Sequence, residues 1–384
     1  DATTRNDVGQ GGGREILGDA VGVLRGAAVD ASGRTGGGEV LVGGDYQGKN
    51  PEVQNAQRAY VAPTARVDAD AVDTGHGGKV IVWADGTTRF LGSISARGGS
   101  QGGDGGFVEV SGKHTLDFAG RVNTSAPLGQ TGILLLDPTS ITITNDLAAN
   151  TSGSITCVGG GTCAVPATGP FADSGTGNLT DGTLNAQLAI NNVIVTATDD
   201  IVVNAAATID LQAKSLTLTS TAGGIVFGAT TVAATGGGTL GLNFVTSLNL
   251  SANPNFTAAT TVTANGGGTG TIIGPNIANS WAISGANVGT LINASGTVGF
   301  TGVGSLTGGS GDDTFTLGAA GTLSGSIAGG GQAVTDTLNL SGKAGAVSIN
   351  QQSSTATDIT GSFGGIEAVV GNGATTTITG VNAG

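Results

Sequence analysis

Short stretches of alternating apolar and polar residues recur along the chain, and pairs of glycines punctuate them. GGEVLVGG begins at Gly37, GGKVIVWA at Gly77, GGFVEVSG at Gly105 and GILLLDP at Gly132. Alternation over four to eight residues marks a strand with one buried face. Glycine pairs suit sharp corners that need positive φ or close backbone approach. Between Gly77 and Thr124 the pattern becomes a repeat. GGKVIVWADGTTRFLGSISA aligns with GGFVEVSGKHTLDFAGRVNT at a shift of 28 residues (105 − 77), placing Val80 on Val108, Phe90 on Phe118, Gly92 on Gly120 and Ile94 on Val122. An earlier copy begins at Gly12, and the 40 residues from Gly38 to Gly78 imply an insertion, read as Asp45 to Tyr60. One such unit cannot bury its own apolar face, whereas stacked units share a continuous core. The pattern therefore predicts an all-β fold, a right-handed parallel β-helix (β-solenoid) with loop excursions.

Beyond residue 140 the chain changes character. Residues 1–140 carry 28 charged side chains and residues 141–384 only 13. Strand-like fragments continue at SITIT (Ser140), SLTLTS (Ser215), SLNLS (Ser247) and TLNLS (Thr337), with Leu216 and Leu248 in matching contexts 32 residues apart (248 − 216). Three regions are expected: regular repeats over 1–140 with the insertion at 45–60, an irregular excursion over 141–190, and a Thr/Gly-rich solenoid continuation over 191–384. Within the excursion, ADSGTGNLTDGTLNAQLAINN reads as a short helical cap or loop. At roughly 26 residues per coil and a strand spacing of ~4.8 Å, about 14 coils would form a rod near 70 Å long.

Composition narrows the partners. Glycine supplies 73 of 384 residues, yet 38% are hydrophobic and mean hydropathy is +0.18, which argues for order over low-complexity disorder. A net charge of −13 argues against nucleic acid and against docking on anionic lipid. No apolar run is long enough for a transmembrane helix, so membrane insertion is not expected. The chain opens DATTRNDVGQ and reads as an internal or processed piece of something longer. Its only cysteines, Cys157 and Cys163, lie six apart (163 − 157) in a Gly-rich loop without nearby ligands that would complete a zinc site. They are expected to form a disulfide, in keeping with an oxidising extracellular setting; free thiols are the alternative.

The stretch from Gly36 to Pro138, with VGGDYQGKNP and VIVWADGTT within it, resembles the filamentous haemagglutinin family of large bacterial exoproteins. The resemblance implies a β-helical shaft and export through an outer-membrane two-partner transporter. It also implies a secreted or Gram-negative cell-surface location and a role in attachment or biofilm-matrix cohesion. The family's secretion-domain signal is not recognisable at the start. NPNF, at Asn253 to Phe256, lies in a Thr-rich strand region. The chain is thus expected to be a shaft segment downstream of that domain.

Several residues invite chemistry and are weighed against plainer roles. Asp68 and Asp70 share a strand face, as a pair of carboxylates for glycoside cleavage would, with Ala69 and Ala71 inward. A solvated outer face explains them as well, and no enzyme is expected. His76 and His114 occupy turns and have no recognisable nucleophile beside them. GGSGDDTFT, from Gly308, fits a calcium-binding turn, which makes Asp312, Asp313 and the following Asp336 possible metal ligands and calcium a possible cofactor. The alternative is a corner whose aspartates cap backbone amides. Tyr46, Lys49, Asn50 and Tyr60 make the insertion a possible loop for glycan or protein contact, or a shield over one face. The function expected is a structural and adhesive shaft contacting host or matrix glycans or proteins. A filament subunit associating end to end through exposed strand edges is the alternative, and a polysaccharide-active enzyme a third.

Overall fold

A computed structural model describes residues 2–145, 157–158, 162–163, 177–257, 260–331, 335–373 and 376–380. The chain divides into two compact units, Asp1–Thr198 with Gln212–Leu216, and Asp199–Leu211 with Thr217–Gly384. Both are built from long parallel ladders of short strands, an all-β arrangement compatible with a β-solenoid.

In the first unit the strands fall on three faces, visited in turn. Face 1 holds Gly13–Ile16, Glu39–Val42, Lys79–Ala84, Phe107–Gly112, Ile133–Leu136 and Asn192–Ala197, each parallel to the next. Face 2 begins Ala20–Val23, Arg58–Val61, Thr87–Phe90, Thr115–Phe118. Face 3 is a five-stranded ladder of Ala2–Thr3, Ala28–Asp30, Arg66–Asp68, Ser93–Ser95 and Arg121–Asn123. The 28-residue alignment is the register itself: Val80 pairs with Val108, Phe90 with Phe118 and Ile94 with Val122.

Stacking like on like builds the core. Val40, Val80, Val108, Leu134 and Val193 form one buried column and Val29, Val67, Ile94 and Val122 another. Phe90 and Phe118 stack with ring centroids 5.3 Å apart. Each such side chain contributes about 1.5–3 kcal/mol on burial. Buried Thr88 satisfies its hydroxyl by donating to the Ser111 carbonyl at 2.6 Å.

The corner between faces 3 and 1 explains the glycine pairs. A Cβ on Gly105 would sit 1.7 Å from the Thr124 carbonyl oxygen across the corner, and one on Gly106 would sit 2.1 Å from the Gly78 oxygen of the preceding rung. Neither position has room for a side chain.

Two departures from simple coiling follow Leu136. Gly177–Thr180 pairs with Ile141–Thr144 on one side and, through Asn178, with Asp117 of face 2 on the other. The chain thus leaves face 2 and returns to fill a slot below its own earlier strand. Where face 3 would continue, the helix Asp181–Leu188 appears instead, its N-cap Thr180 accepting from the Thr183 amide. Buried Gln187 and Asn191 then substitute for a strand. Gln187 Oε1 accepts from the Val122 amide at 3.1 Å, and Asn191 Oδ1 from the Thr124 amide at 2.8 Å. Their amide groups donate to the Gly120 and Val122 carbonyls at 3.2 and 3.0 Å. The ladder edge is satisfied without another β-strand, and the helix falls within the segment expected to be a cap or loop.

The second unit continues the principle with different spacings. Ile201, Ile225, Leu248, Ile272, Leu306, Ile327 and Phe363 form one in-register parallel column. Ile209, Val232 and Phe256 form a second, and Trp281, Phe315, Leu338 and Val369 a third. The meander Asn279–Gly285, Val288–Asn293, Gly296–Thr307 is antiparallel, an interruption not anticipated. Leu248 belongs to the first column, whereas Leu216 lies in Ser215–Ser220, a strand outside that column, so their matched contexts are not a structural repeat. The insertion is also shorter than expected, because Arg58–Val61 is a strand of face 2 and carries Tyr60 with it.

Candidate functional site

The insertion lies against the outside of face 1. Asp45 caps a short 3-10 turn, Tyr46–Gly48, by accepting from the Tyr46 amide at 2.7 Å. Its other oxygen accepts from Asn50 Nδ2 at 2.9 Å, and Lys79 Nζ bridges Asp45 at 2.5 Å and Glu39 at 2.9 Å. Burial opposes ionisation of Asp45, but hydrogen bonds from Lys79, Asn50 and Tyr46 and the Lys79 charge outweigh it and hold the carboxyl below its ordinary value. Underneath, Leu41, Ile81 and Trp83 form an apolar cluster joined by Val53 and Phe107, with Tyr46 edge-on to Phe107 at 5.8 Å. The loop therefore brings Tyr46, Lys49 and Asn50 together and turns most of their polar groups onto itself. Tyr60 is not among them, standing beside Arg89 on face 2.

Beneath the turn lies a residue that sequence reasoning passed over. Glu109 is completely buried, and its carboxylate accepts from the Gln47 amide at 3.1 and 3.3 Å. Gln47 Nε2 also donates to Asp137 at 2.8 Å, while Lys49 Nζ holds Gln47 Oε1 at 2.7 Å. Burial pushes the Glu109 carboxyl up to about 7. Hydrogen bonds from Gln47 and Ser111 oppose the shift, and the charges of Asp137 and Asp45 reinforce it. The available signal was its place in the pattern: Glu109 occupies the rung position of Leu41 and Ile81.

Face 3 carries a concave patch of about 350 Å³ lined by Arg5, Asp30, Arg66, Asp68, Asp70 and Arg97 among others. Ala69 and Ala71 point inward, as expected. Asp70 is locked: Arg97 Nε and Nη2 meet its Oδ2 at 3.0 and 2.7 Å, and Ser95 Oγ and the Arg97 amide donate to Oδ1 at 2.6 and 2.7 Å. Asp68, bridged to Arg66 at 3.1 Å, is pushed above its ordinary value by burial, with Arg66 opposing and Asp70 and Asp30 reinforcing. An acid of raised pKa is present, but the second carboxylate has no oxygen left to activate a water. His76 and His114 are not brought together. His76 lies in the corner leading into face 1, its Nδ1 accepting from the Asp104 amide at 2.9 Å, and His114 in the exposed turn between faces 1 and 2.

At the calcium-like turn three acids, Asp313, Asp336 and Glu367, follow Asn279 in one column on successive rungs. Asp313 accepts from the Asn279 and Gly309 amides at 2.9 and 2.7 Å, Asp336 from the Asp313 amide at 2.8 Å, and Glu367 from the Asp336 amide at 2.8 Å. Asp312 accepts from the Thr335 amide at 3.0 Å. Each carboxylate serves the backbone of its neighbour instead of converging on a common point. Among the described residues no cluster of three His, Cys, Asp or Glu side chains is placed to hold a metal. The donor set fits amide capping and does not fit a calcium shell of six to eight oxygens. Burial pushes Asp313 up to about 6 against the Asn279 and Gly309 hydrogen bonds, with Asp336 reinforcing the shift.

A groove of about 610 Å³ follows the glycine corners from Gly11 to Gly132. Its floor amides are committed between rungs and across the corner, as when Gly77 donates to Asp104 and Gly106 to Ala96, so the groove follows from the corner geometry. Cys157 pairs with Cys163 in an antiparallel backbone register, while their side chains lie outside the described residues, and with them the expected disulfide. No protein-family model matches the chain, and no curated protein matches it.

Proposed function

We propose that this chain is a shaft segment of a secreted bacterial surface exoprotein, a right-handed parallel β-helix that holds attachment or matrix contacts away from the cell. At roughly 26 residues per turn it would comprise about 14 coils. The observation that carries the reading is the in-register stacking of buried apolar columns within each unit, rung after rung. Such a stack resists bending because every rung is tied to the next by backbone hydrogen bonds and side-chain contact. Repeated outer faces could bind glycans or proteins weakly at many points. In this reading the chain reaches the surface through an outer-membrane two-partner transporter, and its ion pairs on face 3 are structural.

The test is binding without turnover. Purified chain immobilised on beads is expected to retain matrix polysaccharide or host cells while leaving the polysaccharide's length unchanged. Cleavage that Asp68→Asn abolishes would replace the shaft with an enzyme. Concentration-dependent fibres with no retention of either ligand would favour a filament subunit.

A further inference from the structure

The outward column one residue inside face 1 reads Glu15, Leu41, Ile81, Glu109, Leu135 and Ile194 in register. An acid in the middle of that apolar series breaks the pattern of its neighbours, and such breaks concentrate at functional positions. The insertion closes directly over it. A Cβ on Gly48 would lie 2.5 Å from Trp83 Nε1 and one on Gly44 2.7 Å from Trp83 Cδ1, so the loop backbone rests flat on the indole. Asn55 Nδ2 fastens the far side to the Gly48 carbonyl at 2.8 Å. Over Glu109 itself the fastening is Gln47 alone, whose left-handed backbone, at φ 53°, aims its amide at the buried carboxylate.

We propose that residues 45–56 are a pH-gated latch on face 1, closed over Leu41, Ile81 and Trp83 when Glu109 is neutral and loosened when Glu109 ionises. The surrounding charges act in that direction. Asp137, from the segment after Ile133–Leu136, and Asp45, on the loop, both face Glu109 with negative charge. Asp137 is itself raised by burial, against the Gln47 hydrogen bond and the Lys49 charge. Lys79, one rung away, is already bridged to Glu39 and Asp45, and Lys49 is engaged with Gln47 Oε1. Asp85, at the other end of the loop, accepts from Asn55 and Trp83. No cation among these touches Glu109 to offset its ionisation.

The sign follows from linkage. With the latch closed, the Glu109 carboxyl favours its neutral form up to about pH 7, whereas open and hydrated it returns to its ordinary 4.5. Closure is therefore strongest below the lower value and weakens as pH rises to the higher one. Between pH 5 and pH 8 the closing equilibrium falls by up to about seventyfold. Release uncovers the Trp83 strip and exposes the flank of Phe107.

Trp83 reports the movement directly in a Trp281→Phe background, where it is the only tryptophan. Acrylamide quenching of its fluorescence is expected to rise between pH 5 and pH 8. In a Glu109→Gln variant, which keeps an acceptor for the Gln47 amide, quenching should stay at its acid level throughout. Equal shielding of Trp83 at both pH values would overturn the latch, as would an identical rise in the Glu109→Gln variant. Loss of far-UV β signal over the same range would also overturn it, because the sheet and not the loop would then be opening.

Discussion

Replacing Gly105 with alanine tests the corner geometry at one atom. The new Cβ would lie 1.7 Å from the Thr124 carbonyl oxygen and 2.6 Å from the Gly132 amide nitrogen. Favourable carbon contacts begin near ~3.5 Å, so the corner must open by more than about an ångström. The Gly132 amide donates to that same Thr124 oxygen at 2.8 Å, and opening the corner breaks this bond. An orphaned buried donor or acceptor costs about 1–3 kcal/mol, and forcing a methyl into a packed site about 1–3 kcal/mol more. The expected loss is about 2–6 kcal/mol, a large part of a typical domain's stability. Gly13 is the control, since a Cβ there meets nothing within 4 Å, and Gly13→Ala should stay within about 1 kcal/mol of the parent. Urea unfolding followed by far-UV circular dichroism reads both. Equal midpoints for the two variants would refute the claim that coil closure requires the glycine pair.

Three further outcomes are expected. Asn191→Ala should cost about 1–3 kcal/mol by leaving the Thr124 amide without its acceptor, read as lower unfolding stability with faster hydrogen exchange at Thr124. Trp281 is fully buried with an indole N–H that has no hydrogen-bond partner among the described residues, so Trp281→Phe should cost less than about 1.5 kcal/mol, against about 3–5 kcal/mol for Phe315→Ala beneath it; thermal melts compare them. Asp313, raised to about 6 from an ordinary 3.8, favours the protonated form in the folded state, so its contribution is complete below 3.8 and lost as pH rises through about 6. Stability should fall by up to about 2 kcal/mol between pH 4 and pH 7 on that account, and urea midpoints for Asp313→Asn should lose that slope.

Much of the first unit was legible because its repeat is nearly exact. Valines and phenylalanines at fixed offsets are the columns themselves, so alignment and register coincide at Val80–Val108 and Phe90–Phe118. The second unit keeps the columns but varies the connections; Leu248 lies in one of its columns while Leu216 belongs to the first unit, so their matching contexts are not a repeat of one rung position. Tyr60 was assigned to the insertion because polar loop composition runs on into a strand that starts at Arg58. Gln187 and Asn191 gave no signal, since side chains that imitate a strand edge are recognisable only once the edge is seen. The acids after Gly308 matched a calcium pattern, while their amide partners come from neighbouring rungs that the motif does not specify. Glu109 was visible only as an acid at the rung position of Leu41 and Ile81, and its meaning depended on what the insertion covered.

The central claim is parallel, in-register stacking of successive rungs, and paired spin labels on face 3 test it most directly. Ser93 lies opposite Arg121, and both are at least partly exposed. Nitroxides at these two sites, about 4.8 Å apart at the backbone, should give strong dipolar broadening in continuous-wave spectra, greater than a Ser93 and Asn123 pair. Stronger broadening for Ser93 with Asn123, the partner an antiparallel ladder would choose, would contradict the fold and the shaft role proposed from it.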